Sequence, residues 1–376
     1  MRVAHVGNYK AESTNGDDQA IVRYAELLPV NGFEVELWHF TPEVDAVGER
    51  RVDDVRIFDV PCHRRRWQNV VHVPKETRYF LEQRLQQVDL VHLHSVFRPE
   101  NLWVGRLGSR YIVSPHGGYS PQVIRGRNRL LKRIWISLWE RSYLDRARAV
   151  HAVSPPEVKG LHSFGVKVPV VFIPNGVDEA LLRRKLSKPH KASAWVYLGR
   201  LAVEHKGLDL LVKGYASLYK QRGGKLPPLV LAGPDFRGGK KQLEKLIRSL
   251  GVAESVLLKG PVFGEDKWNL LAQAQLFVHT SRWEGMPLAM LEALACGRPV
   301  LITPETNCEQ YIEEYRAGWI VAGTPEAIAS GLDAVLESST QDLDAAGDQA
   351  RSLAADNFSW PSLTRQLAEV YREAVG

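Results

Sequence analysis

Two glutamates, Glu284 and Glu292, flank the start of a predicted helix in the segment Ser281–Val300 (SRWEGMPLAMLEALACGRPV). Gly285 permits a tight turn before this helix, and Pro287 suits its first turn. The amides of a first helical turn have no partner inside the helix, so together with the helix dipole they form a site for an anion. The two glutamates would lie about 12 Å apart if the path between them were all helical. A diphosphate at the helix N-terminus would then have a carboxylate toward each end, which suits a nucleotide sugar.

Two cations, Arg200 and Lys206, occur in the segment Tyr197–Leu208 (YLGRLAVEHKGL), which is typical of a strand end, a loop and a helix start. Both can reach one diphosphate, the guanidinium as a planar fork and the ammonium as a point charge. Two cations also stabilise a leaving diphosphate while its negative charge develops. Each charged residue taken alone is more typical of a solvated loop or helix, but two cations combined with two carboxylates favour a binding site.

The elements that must position these groups follow one rhythm, in which short apolar strands alternate with helical patterns. In the first half we predict strands at residues 2–6, 33–40, 88–94, 111–114, 149–153 and 168–173. In the second half we predict strands at residues 195–198, 230–232, 256–259, 276–279, 300–302 and 319–321. Between the halves, residues 184–193 are polar and predict a linker. The pattern predicts two doubly wound α/β domains with a cleft between them, and such sheets bind ligands beyond the carboxyl ends of their strands.

The motifs Gly-Arg-x5-Lys-Gly, Glu-Gly-x-Pro-x4-Glu and Cys-Gly-Arg-Pro-Val, in this order, resemble those of the retaining glycosyltransferases of family 4, which have the GT-B fold. Glu284 and Glu292 meet the Glu-x7-Glu pattern of that family. Asn175–Asp178 and the N-terminal half also fit, so the resemblance covers nearly the whole chain. It implies two Rossmann-like domains, an acceptor-binding domain over residues 1–180 and a nucleotide-sugar domain over residues 181–357. It also implies that a C-terminal helix, residues 358–376, packs on the first domain.

The resemblance assigns roles residue by residue. It implies that Arg200 and Lys206 bind the donor diphosphate, that Glu292 holds the ribose hydroxyls, and that Glu284 contacts hydroxyls of the transferred sugar. The backbone of the turn would contact the sugar and the phosphate, through Gly285, Met286, Pro287 and Leu288. His116, in the segment Ser114–Tyr119 (SPHGGY), matches the active-site histidine that the family places beside the anomeric centre. The expected catalytic groups are therefore His116, Glu284, Arg200 and Lys206.

Three stretches depart from the family pattern. Gly16 stands where the family has a loop with adjacent glycines, but here a single glycine precedes Asp17 and Asp18. This loop is a candidate for acceptor or phosphate contacts, and the two aspartates either meet acceptor hydroxyls or cap the next helix. Ala274–Gln275 and His279–Thr280 replace the Ala-Asp and Pro-Ser of the family, and we expect neither change to touch the catalytic groups.

We expect no metal and no other cofactor, because retaining transfer on this fold usually needs none. The Asp-x-Asp segment Asp342–Asp344 lies in a polar stretch and predicts a solvated helix or loop. Cys62, Cys296 and Cys308 are too few and too scattered for a zinc site or a disulfide framework, so reduced thiols in a cytoplasmic protein are expected. His92 and His94 alternate at a strand end, where they either edge the acceptor site or pack in the core.

The charge of the chain is concentrated in one region. The formal net charge is +6, and residues 121–150 hold eight basic and two acidic residues, so this stretch alone carries an excess of +6. A general nucleic-acid surface is therefore not expected. A helix over residues 130–144 would place Leu131, Trp135, Leu138 and Trp139 on one face. We expect that face to pack on the sheet with the arginines in water, and the alternative is that residues 125–148 meet anionic lipid headgroups or a lipid diphosphate acceptor.

Other features of the sequence bear on where the protein acts. No apolar run of about 18 residues occurs, and the N-terminus lacks the apolar stretch of a signal peptide. We therefore expect a cytoplasmic protein that is peripheral on the inner face of the membrane if the basic helix contacts lipid.

The predicted function is transfer of a sugar from a UDP-sugar, UDP-glucose in the first place, to a hydroxyl of a glycan or lipid-linked acceptor in cell-surface polysaccharide assembly. A GDP-mannose-dependent mannosyltransferase is the alternative donor hypothesis. A nucleotide-sugar epimerase and a phosphorylase share the architecture, and a non-catalytic basic membrane-binding protein with a degenerate nucleotide site is the alternative from another class. No Gly-x-Gly-x-x-Gly follows the first strand, which disfavours a dinucleotide oxidoreductase.

Overall fold

The computed structural model describes residues 1–8, 16–65, 68–108, 110–126, 128–184 and 193–376. The chain divides into two compact units. Unit 1 comprises Met1–Asn175 and Trp360–Gly376, and unit 2 comprises Gly176–Ser359. Most of the predicted linker, residues 185–192, lies outside the described residues.

Unit 1 is built on an eight-stranded sheet with the order β3-β4-β2-β1-β5-β6-β7-β8. Its strands are β1 (Arg2–Val6), β2 (Glu34–Thr41), β3 (Gly48–Val52), β4 (Val55–Pro61), β5 (Leu90–His94), β6 (Tyr111–Ser114), β7 (Ala149–Ala152) and β8 (Val170–Phe172). All neighbours pair in parallel except β3 and β4, which form an antiparallel hairpin. Strands β5, β6 and β7 are buried throughout, as expected for parallel strands that are covered on both faces.

The helices of unit 1 alternate with these strands. They are α1 (Gly16–Leu27), α2 (Gln68–Val71), α3 (Lys75–Arg84), α4 (Pro99–Arg106), α5 (Pro121–Arg125), α6 (Arg129–Trp135), α7 (Arg141–Asp145) and α8 (Pro155–Ser163). The last helix of the chain, Trp360–Val375, also belongs to this unit and packs against α1 and β5. Its buried face includes Leu363, Leu367 and Tyr371, which recur at helical spacing.

The basic region differs from its predicted form. A π-helical segment, Ile136–Glu140, interrupts the helix between α6 and α7. A π turn closes i→i+5 hydrogen bonds, so it shifts the register that a regular α-helix would keep. Trp135 and Trp139 pack against the core of unit 1, while Leu131 and Leu138 are exposed to solvent. The expectation that these four residues form one buried face was therefore wrong.

Unit 2 is built on a six-stranded parallel sheet with the order β11-β10-β9-β12-β13-β14. Its strands are β9 (Trp195–Leu198), β10 (Leu229–Ala232), β11 (Val256–Lys259), β12 (Leu276–His279), β13 (Val300–Ile302) and β14 (Gly318–Ile320). Its helices are α9 (Glu179–Arg183), α10 (Leu208–Gln221), α11 (Gly239–Leu250), α12 (Gly264–Gln273), α13 (Leu288–Ala295), α14 (Glu309–Tyr315), α15 (Pro325–Glu337) and α16 (Thr340–Asn357). The helix at the end of unit 1 is thus α17 (Trp360–Val375). The prediction of two parallel-sheet α/β halves is confirmed.

Within the described ranges, none of the helices combines the length and the apolar character that a membrane span requires.

Candidate functional site

The sheet order of unit 2 brings the predicted donor-binding residues together. Strand β9 lies between β10 and β12, so the chain leaves β9 toward one side of the sheet and later adds β12 on the other side. Doubly wound sheets bind ligands at such a reversal, beyond the carboxyl ends of the two strands. The loop after β9 carries Arg200 and Lys206, and the loop after β12 carries Glu284.

The two loops are held against each other at Gly207. This glycine has a φ of +61°, and a Cβ placed on it would lie 1.9 Å from the carbonyl oxygen of Thr280. The hydroxyl of Thr280 donates a hydrogen bond to the carbonyl of Gly207 at 3.2 Å. Any larger residue at position 207 would separate the loops, so the glycine that follows Lys206 is required for the ammonium to approach the second loop.

Glu284 is the centre of a charged cluster. Its Oε1 accepts hydrogen bonds from Lys206 Nζ at 2.5 Å, from Ser281 Oγ at 2.5 Å and from His279 Nε2 at 3.0 Å. Only 8% of the Glu284 side chain is exposed. Burial by itself raises the pKa of Glu284, but the charge of Lys206 and the hydrogen bond from His279 outweigh it and hold the pKa well below the ordinary value. Glu284 is therefore a fixed anion that can accept hydrogen bonds from sugar hydroxyls.

His279 shows that one sequence expectation was wrong. The change from Pro-Ser to His279–Thr280 does reach a predicted catalytic group, because His279 donates to the Glu284 carboxylate. Burial lowers the pKa of His279, although the carboxylate of Glu284 opposes this shift. Its ring also stacks on Tyr197, with centroids 5.8 Å apart. His279 thus orients Glu284 and needs no positive charge to do so.

Two further residues that the sequence reasoning missed fix the loop around Glu284. The side-chain amide of Asn307 donates to the carbonyl oxygens of Glu284 and Gly285, at 2.6 and 3.0 Å. The ring of His205 stacks on Trp283, with centroids 4.6 Å apart, and its Nε2 donates to the Trp283 carbonyl at 2.9 Å. Burial lowers the pKa of His205 to about 4, so its ring is neutral at neutral pH. Neither contact has a local sequence signal, because each joins residues far apart in the chain.

Arg200 lies in the same loop as Lys206 but has a different environment. Its guanidinium stacks over the ring of Phe236, 5.1 Å from the centroid. In the part of the chain that the structure describes, no carboxylate lies within ion-pair distance of Arg200. The guanidinium is thus oriented by an aromatic face rather than by an anion of the protein.

Glu292 lies within α13, which begins at Leu288, so only part of the path from Glu284 is helical. The intervening turn comprises Gly285, Met286 and Pro287. Glu292 Oε1 accepts from Lys267 Nζ at 2.7 Å, and both side chains are largely buried. The ammonium of Lys267 also lies 4.0 Å from the ring centroid of Trp268. Lys267 is another residue that sequence reasoning missed, and it holds the Glu292 carboxylate in place.

Unit 1 has a comparable reversal between β1 and β5. A cavity of about 100 Å³ opens there, beyond the ends of both strands. Its lining includes Asp18, His94, Ser95, Arg98 and Asn101. Carboxylate, imidazole, hydroxyl and amide groups around one small cavity can hydrogen-bond a polyhydroxylated molecule. Of the two histidines left open by the sequence, His94 lines this cavity and His92 is fully buried in the core.

His116 lies on the turn after β6, at a φ of +52°. The turn is held by Glu157, whose carboxylate accepts from the amides of Gly117 at 2.6 Å and Val153 at 3.1 Å. Burial raises the pKa of Glu157 to about 7, although these amides oppose the shift. His116 Nε2 lies 2.9 Å from His94 Nδ1, so His116 contacts a residue of the cavity lining.

Gly16 is the first residue of α1, which places Asp17 and Asp18 in its first turn, where the helix dipole favours a negative charge. Asp17 Oδ2 accepts a hydrogen bond from Ser95 Oγ at 2.9 Å. Asp18 lines the cavity. Both aspartates are close enough to His116 to raise its pKa, although burial dominates and lowers it.

The Asp-x-Asp segment has a structural role. Asp342 lies in the first turn of α16 and forms a capping box with Ser339. Its carboxylate accepts from the amide and the hydroxyl of Ser339, at 3.3 and 2.7 Å. This arrangement satisfies amides at the helix start.

Comparison with known proteins agrees with the resemblance seen in the sequence. Residues 178–353 match the model of the glycosyl transferases group 1, and residues 15–181 match that of glycosyltransferase family 4. The two matches adjoin and together account for most of the chain. The chain therefore belongs to the family 4 glycosyltransferases.

Individual relatives extend this finding. A D-inositol 3-phosphate glycosyltransferase from Salinispora arenicola is 33% identical over 204 residues, which are 52% of this chain and 45% of that protein. The chain spans about half the length of this and of several other curated glycosyltransferases that it matches. A GDP-mannose:cellobiosyl-diphosphopolyprenol alpha-mannosyltransferase from Komagataeibacter xylinus is 23% identical over 388 residues, 100% of this chain and 94% of that protein.

The fold is that of solved GT-B structures. The sucrose-phosphate synthase structure from Thermosynechococcus elongatus superposes with a TM-score of 0.75, at 18% identity, over 99% of this chain and 98% of that chain.

Proposed function

We propose that the protein transfers a sugar, with retention of the anomeric configuration and without a metal ion, from a nucleoside diphosphate sugar to an acceptor hydroxyl. The observation that carries this proposal is the cluster at the ends of β9 and β12, where Lys206 contacts Glu284 and Arg200 lies on the same loop. The family of the chain is consistent with it.

The cluster suits the chemistry of a departing nucleoside diphosphate. An ammonium group has three donors, so Lys206 can keep its contact with Glu284 and still donate to a phosphate oxygen. Arg200 offers a fork that matches a phosphate. The two cations would stabilise the negative charge that develops on the diphosphate as the glycosidic bond breaks, a role that a divalent metal plays in other enzymes. Glu284, held as an anion, would accept hydrogen bonds from the transferred sugar.

The proposal also concerns which base and which sugar the donor carries. UDP-glucose is the first candidate, on the resemblance. GDP-mannose is the second, because the relative that aligns along the whole chain is named as a GDP-mannose-dependent mannosyltransferase. Thermal-shift measurements with a panel of nucleotide sugars decide between them, since a ligand raises stability by RT ln(1 + [L]/Kd). The expected result is a shift with one donor class, and no shift with any nucleotide sugar would contradict the proposal and leave a degenerate site.

We further propose that the acceptor is a glycan or lipid-linked molecule of cell-surface polysaccharide assembly, and that unit 1 meets an anionic membrane surface. Leu130, Leu131, Ile134 and Leu138 are 44–67% exposed on the stretch that runs through α6 and the π segment. Exposed arginines accompany them, namely Arg129, Arg133, Arg141, Arg146 and Arg148. Apolar side chains beside cations are typical of a segment that lies in the lipid headgroup region. Arg127 and the side chain of Arg125, which belong to the predicted basic region, lie outside the described residues.

The activity test uses a donor that the thermal-shift panel selects, with a short-chain polyprenyl diphosphate-linked sugar as acceptor. Transfer supports the proposal. Interconversion of the donor sugar without transfer would indicate an epimerase, and phosphate-dependent cleavage of a glycan would indicate a phosphorylase.

A further inference from the structure

Unit 1 contains a continuous chain of hydrogen bonds through five histidines, one serine and one tyrosine, and the resemblance in the sequence implies a catalytic role for His116 at its outer end. Its members are His151, Ser114, His92, Tyr371, His5, His94 and His116. All but His116 are buried, with 0–3% of their surface exposed. Four neutral imidazoles on strands β1, β5 and β7 of one core are unusual, because buried polar groups must each find a partner.

The register of the sheet places these side chains on one face. His5 of β1 pairs with His92 of β5, and His94 of β5 pairs with Ser114 of β6. Residues two apart on a strand point to the same side, so His92 and His94 share that face. Tyr371 reaches the same face from α17.

The inner half of the chain begins at a backbone carbonyl. His151 Nε2 lies 2.8 Å from the carbonyl oxygen of Ile173, and His151 Nδ1 lies 2.6 Å from Ser114 Oγ. Ser114 Oγ lies 2.6 Å from His92 Nε2. His92 Nδ1 lies 2.6 Å from Tyr371 Oη.

The outer half leads to the turn after β6. Tyr371 Oη lies 3.3 Å from His5 Nε2, which is the longest link. His5 Nδ1 lies 2.9 Å from His94 Nε2, and His94 Nδ1 lies 2.9 Å from His116 Nε2.

The carbonyl of Ile173 determines the direction of the inner bonds. A carbonyl oxygen only accepts, so His151 carries its proton on Nε2 and, when neutral, accepts at Nδ1. The hydroxyl proton of Ser114 must then be donated to His151, and Ser114 accepts from Nε2–H of His92. A neutral His92 therefore accepts at Nδ1, and the donor is the hydroxyl of Tyr371.

The same reasoning continues to the outer end. The single proton of Tyr371 is donated to His92, so its oxygen accepts from Nε2–H of His5. His5 then accepts at Nδ1 from Nε2–H of His94, and His94 accepts at Nδ1 from Nε2–H of His116. Each ring has one donor and one acceptor, all hydrogen bonds run in a single direction, and of these groups only Nδ1 of His116 is not used within the chain of hydrogen bonds.

The neutral state that this reasoning needs follows from burial. Burial lowers the pKa of His5 to about 3 and that of His151 to about 4. Burial and the neighbouring imidazoles hold the pKa values of His92 and His94 well below the ordinary value. Burial also lowers the pKa of His116, against the opposing charges of Asp17 and Asp18.

We propose that this chain of hydrogen bonds positions His116 and fixes it in one tautomer. The proton on Nε2 of His116 is donated inward to His94, and Nδ1 is left as the acceptor for a substrate hydroxyl. His94, His5, Tyr371, His92, Ser114 and His151 are positioning residues in this scheme. The use of His116 for substrate rests on the proposed function, whereas its tautomer does not.

A metal ion is the competing occupant of the cluster. One ring nitrogen each of His5, His92 and His94 lies within 4.8 Å of the others, a spacing that can hold a cation. In the scheme above, however, the three lone pairs accept from His94, Tyr371 and His116 in turn. A metal would need those same lone pairs, so the metal site and the hydrogen-bond chain exclude each other, which makes metal content a direct test.

The variant that cuts the chain is Tyr371→Phe, which removes one buried oxygen and disconnects the outer histidines from the Ile173 carbonyl. Ser114→Ala interrupts the hydrogen bonds at another link and replaces Tyr371→Phe in the test if that variant folds poorly. The matched control is Tyr24→Phe. Tyr24 is equally buried and stacks on the rings of His5 and His94, at 6.3 and 6.5 Å between centroids. Among the described residues its hydroxyl has no hydrogen-bond partner, so its removal leaves the chain intact.

The measurement is long-range proton–nitrogen correlation NMR of the full protein with 15N-labelled histidine at neutral pH. His94→Gln and His116→Gln assign the signals of the outer rings. We expect His116 in the parent and in Tyr24→Phe to be protonated on Nε2 alone, and in Tyr371→Phe and Ser114→Ala to be a mixture of tautomers. Three results would overturn the proposal. They are protonation of His116 on Nδ1 in the parent, the same mixture of tautomers in all variants, and a zinc, nickel or cobalt ion bound at one per polypeptide.

Kinetics provide a second readout that a purely structural role would not produce. With the selected donor, we expect Tyr371→Phe to lower kcat by about tenfold with little change in KM, and Tyr24→Phe to lower neither. Equal effects of the two variants on kcat would contradict the proposal. If the protein transfers no sugar at all, the proposed function fails while the tautomer of His116 is still decided by NMR.

Discussion

The ammonium nitrogen of Lys206 lies 2.5 Å from Oε1 of Glu284, and these side chains are only 12% and 8% exposed. Removing one partner of a buried ion pair is strongly destabilising, because the other charge then stays buried without compensation. The pair therefore fixes two groups that the proposed donor needs at the same place. Arg200, which has no such partner among the described carboxylates, differs from Lys206 in what its removal would do.

We predict that Arg200→Ala weakens donor binding and slows transfer by about 2–4 kcal/mol, because a cation that stabilises a developing diphosphate charge is lost. Its melting temperature should stay near that of the parent, since Arg200 lies on a loop. Steady-state kinetics and calorimetry with the nucleoside diphosphate measure the effect. Arg248→Ala is the control, because the side chain of Arg248 is 72% exposed on α11, and it should change neither donor binding nor the rate of transfer. Transfer by Arg200→Ala within about threefold of the parent would contradict the assignment.

We predict that Lys206→Ala, in contrast, also lowers the free energy of unfolding, by about 3–5 kcal/mol, because it leaves the buried carboxylate of Glu284 without its cation. Denaturant unfolding of both variants separates the two residues. Equal stability of Lys206→Ala and Arg200→Ala would show that the ion pair does not hold the loops.

The two glutamates should differ in which step they affect. Glu292→Gln should mainly weaken nucleotide binding if Glu292 holds the ribose as the resemblance implies, since ribose is bound alike in the ground and transition states. Glu284→Gln should mainly lower turnover and spare binding of the free nucleoside diphosphate. Calorimetry with that product and steady-state rates measure the two effects, with Glu326→Gln on the exposed start of α15 as the control. Equal changes in both measurements at both sites would refute these roles.

Much of the scaffold follows from the sequence because its strands are short apolar runs between polar turns. Strands β6, β9, β11, β12 and β13 have the residues that the pattern predicts. The hairpin of β3 and β4 was missed, because β3 (GERRV) is an exposed edge strand whose charges are typical of a loop. The π segment was missed because a 3.6-residue period cannot show where a helix widens.

The site was predictable only where motifs carry it. Arg200, Lys206, Glu284 and Glu292 are found from their spacing, and the sheet order then brings the first three to one place. Lys267 and Asn307 touch these groups or their loops through the fold and have no local signal. His279 was visible as a departure from the family pattern, but its contact with Glu284 was not expected. The buried histidines could be noticed as polar residues in strands, but which of them are linked depends on the register of four strands and on a helix at the other end of the chain.

The stereochemistry and metal dependence of transfer are open to a direct test. We predict that the product keeps the anomeric configuration of the donor, and that a chelator does not abolish activity, because in the proposed function Arg200 and Lys206 supply the positive charge. NMR of the first-formed product and assays with EDTA measure the two properties. An inverted product, or complete dependence on manganese, would contradict the prediction.

Membrane binding should depend on both the charges and the apolar side chains of residues 125–148. Each basic residue near an anionic surface contributes about 1 kcal/mol of binding free energy. Salt at 0.1 M largely screens charges that are more than about 10 Å apart, so this attraction should be strongest at low salt. We predict that Arg125→Gln/Arg127→Gln/Arg129→Gln reduces co-sedimentation with anionic vesicles at low salt, and that Leu131→Ser/Leu138→Ser reduces it further at high salt. Val30→Ser/Val71→Ser, which changes two exposed valines elsewhere in unit 1, is the matched control. Equal binding of the parent to anionic and neutral vesicles at low salt would favour a soluble acceptor.

Acid should unfold unit 1 because His5, His92, His94 and His151 are neutral in the folded protein and charged in the unfolded chain. Their folded pKa values lie below the ordinary 6.5, with His5 at about 3 and His151 at about 4. A group with a depressed folded pKa contributes stability that is fully present above the unfolded pKa and is lost as the pH falls toward the folded pKa. The relevant window is therefore from about pH 6.5 down to about pH 4.

We predict that the four histidines lower the free energy of unfolding by about 5 kcal/mol per pH unit between pH 6 and pH 5, since each contributes about 1.4 kcal/mol per unit. Glu157 opposes them by about 1.4 kcal/mol per unit, because burial raises its pKa to about 7 and the folded protein binds its proton in this window, so the expected net slope is about 4 kcal/mol per unit. Urea unfolding at fixed pH values, followed by the near-ultraviolet signal of Trp38 and the other buried aromatics of unit 1, gives this slope. His151→Gln should reduce the slope by about 1.4 kcal/mol per pH unit, because the unfolded chain then binds one proton fewer. His162→Gln, which removes an exposed histidine of α8, should leave it unchanged. A slope in the parent no steeper than that of one histidine would mean that these rings take up protons in the folded state.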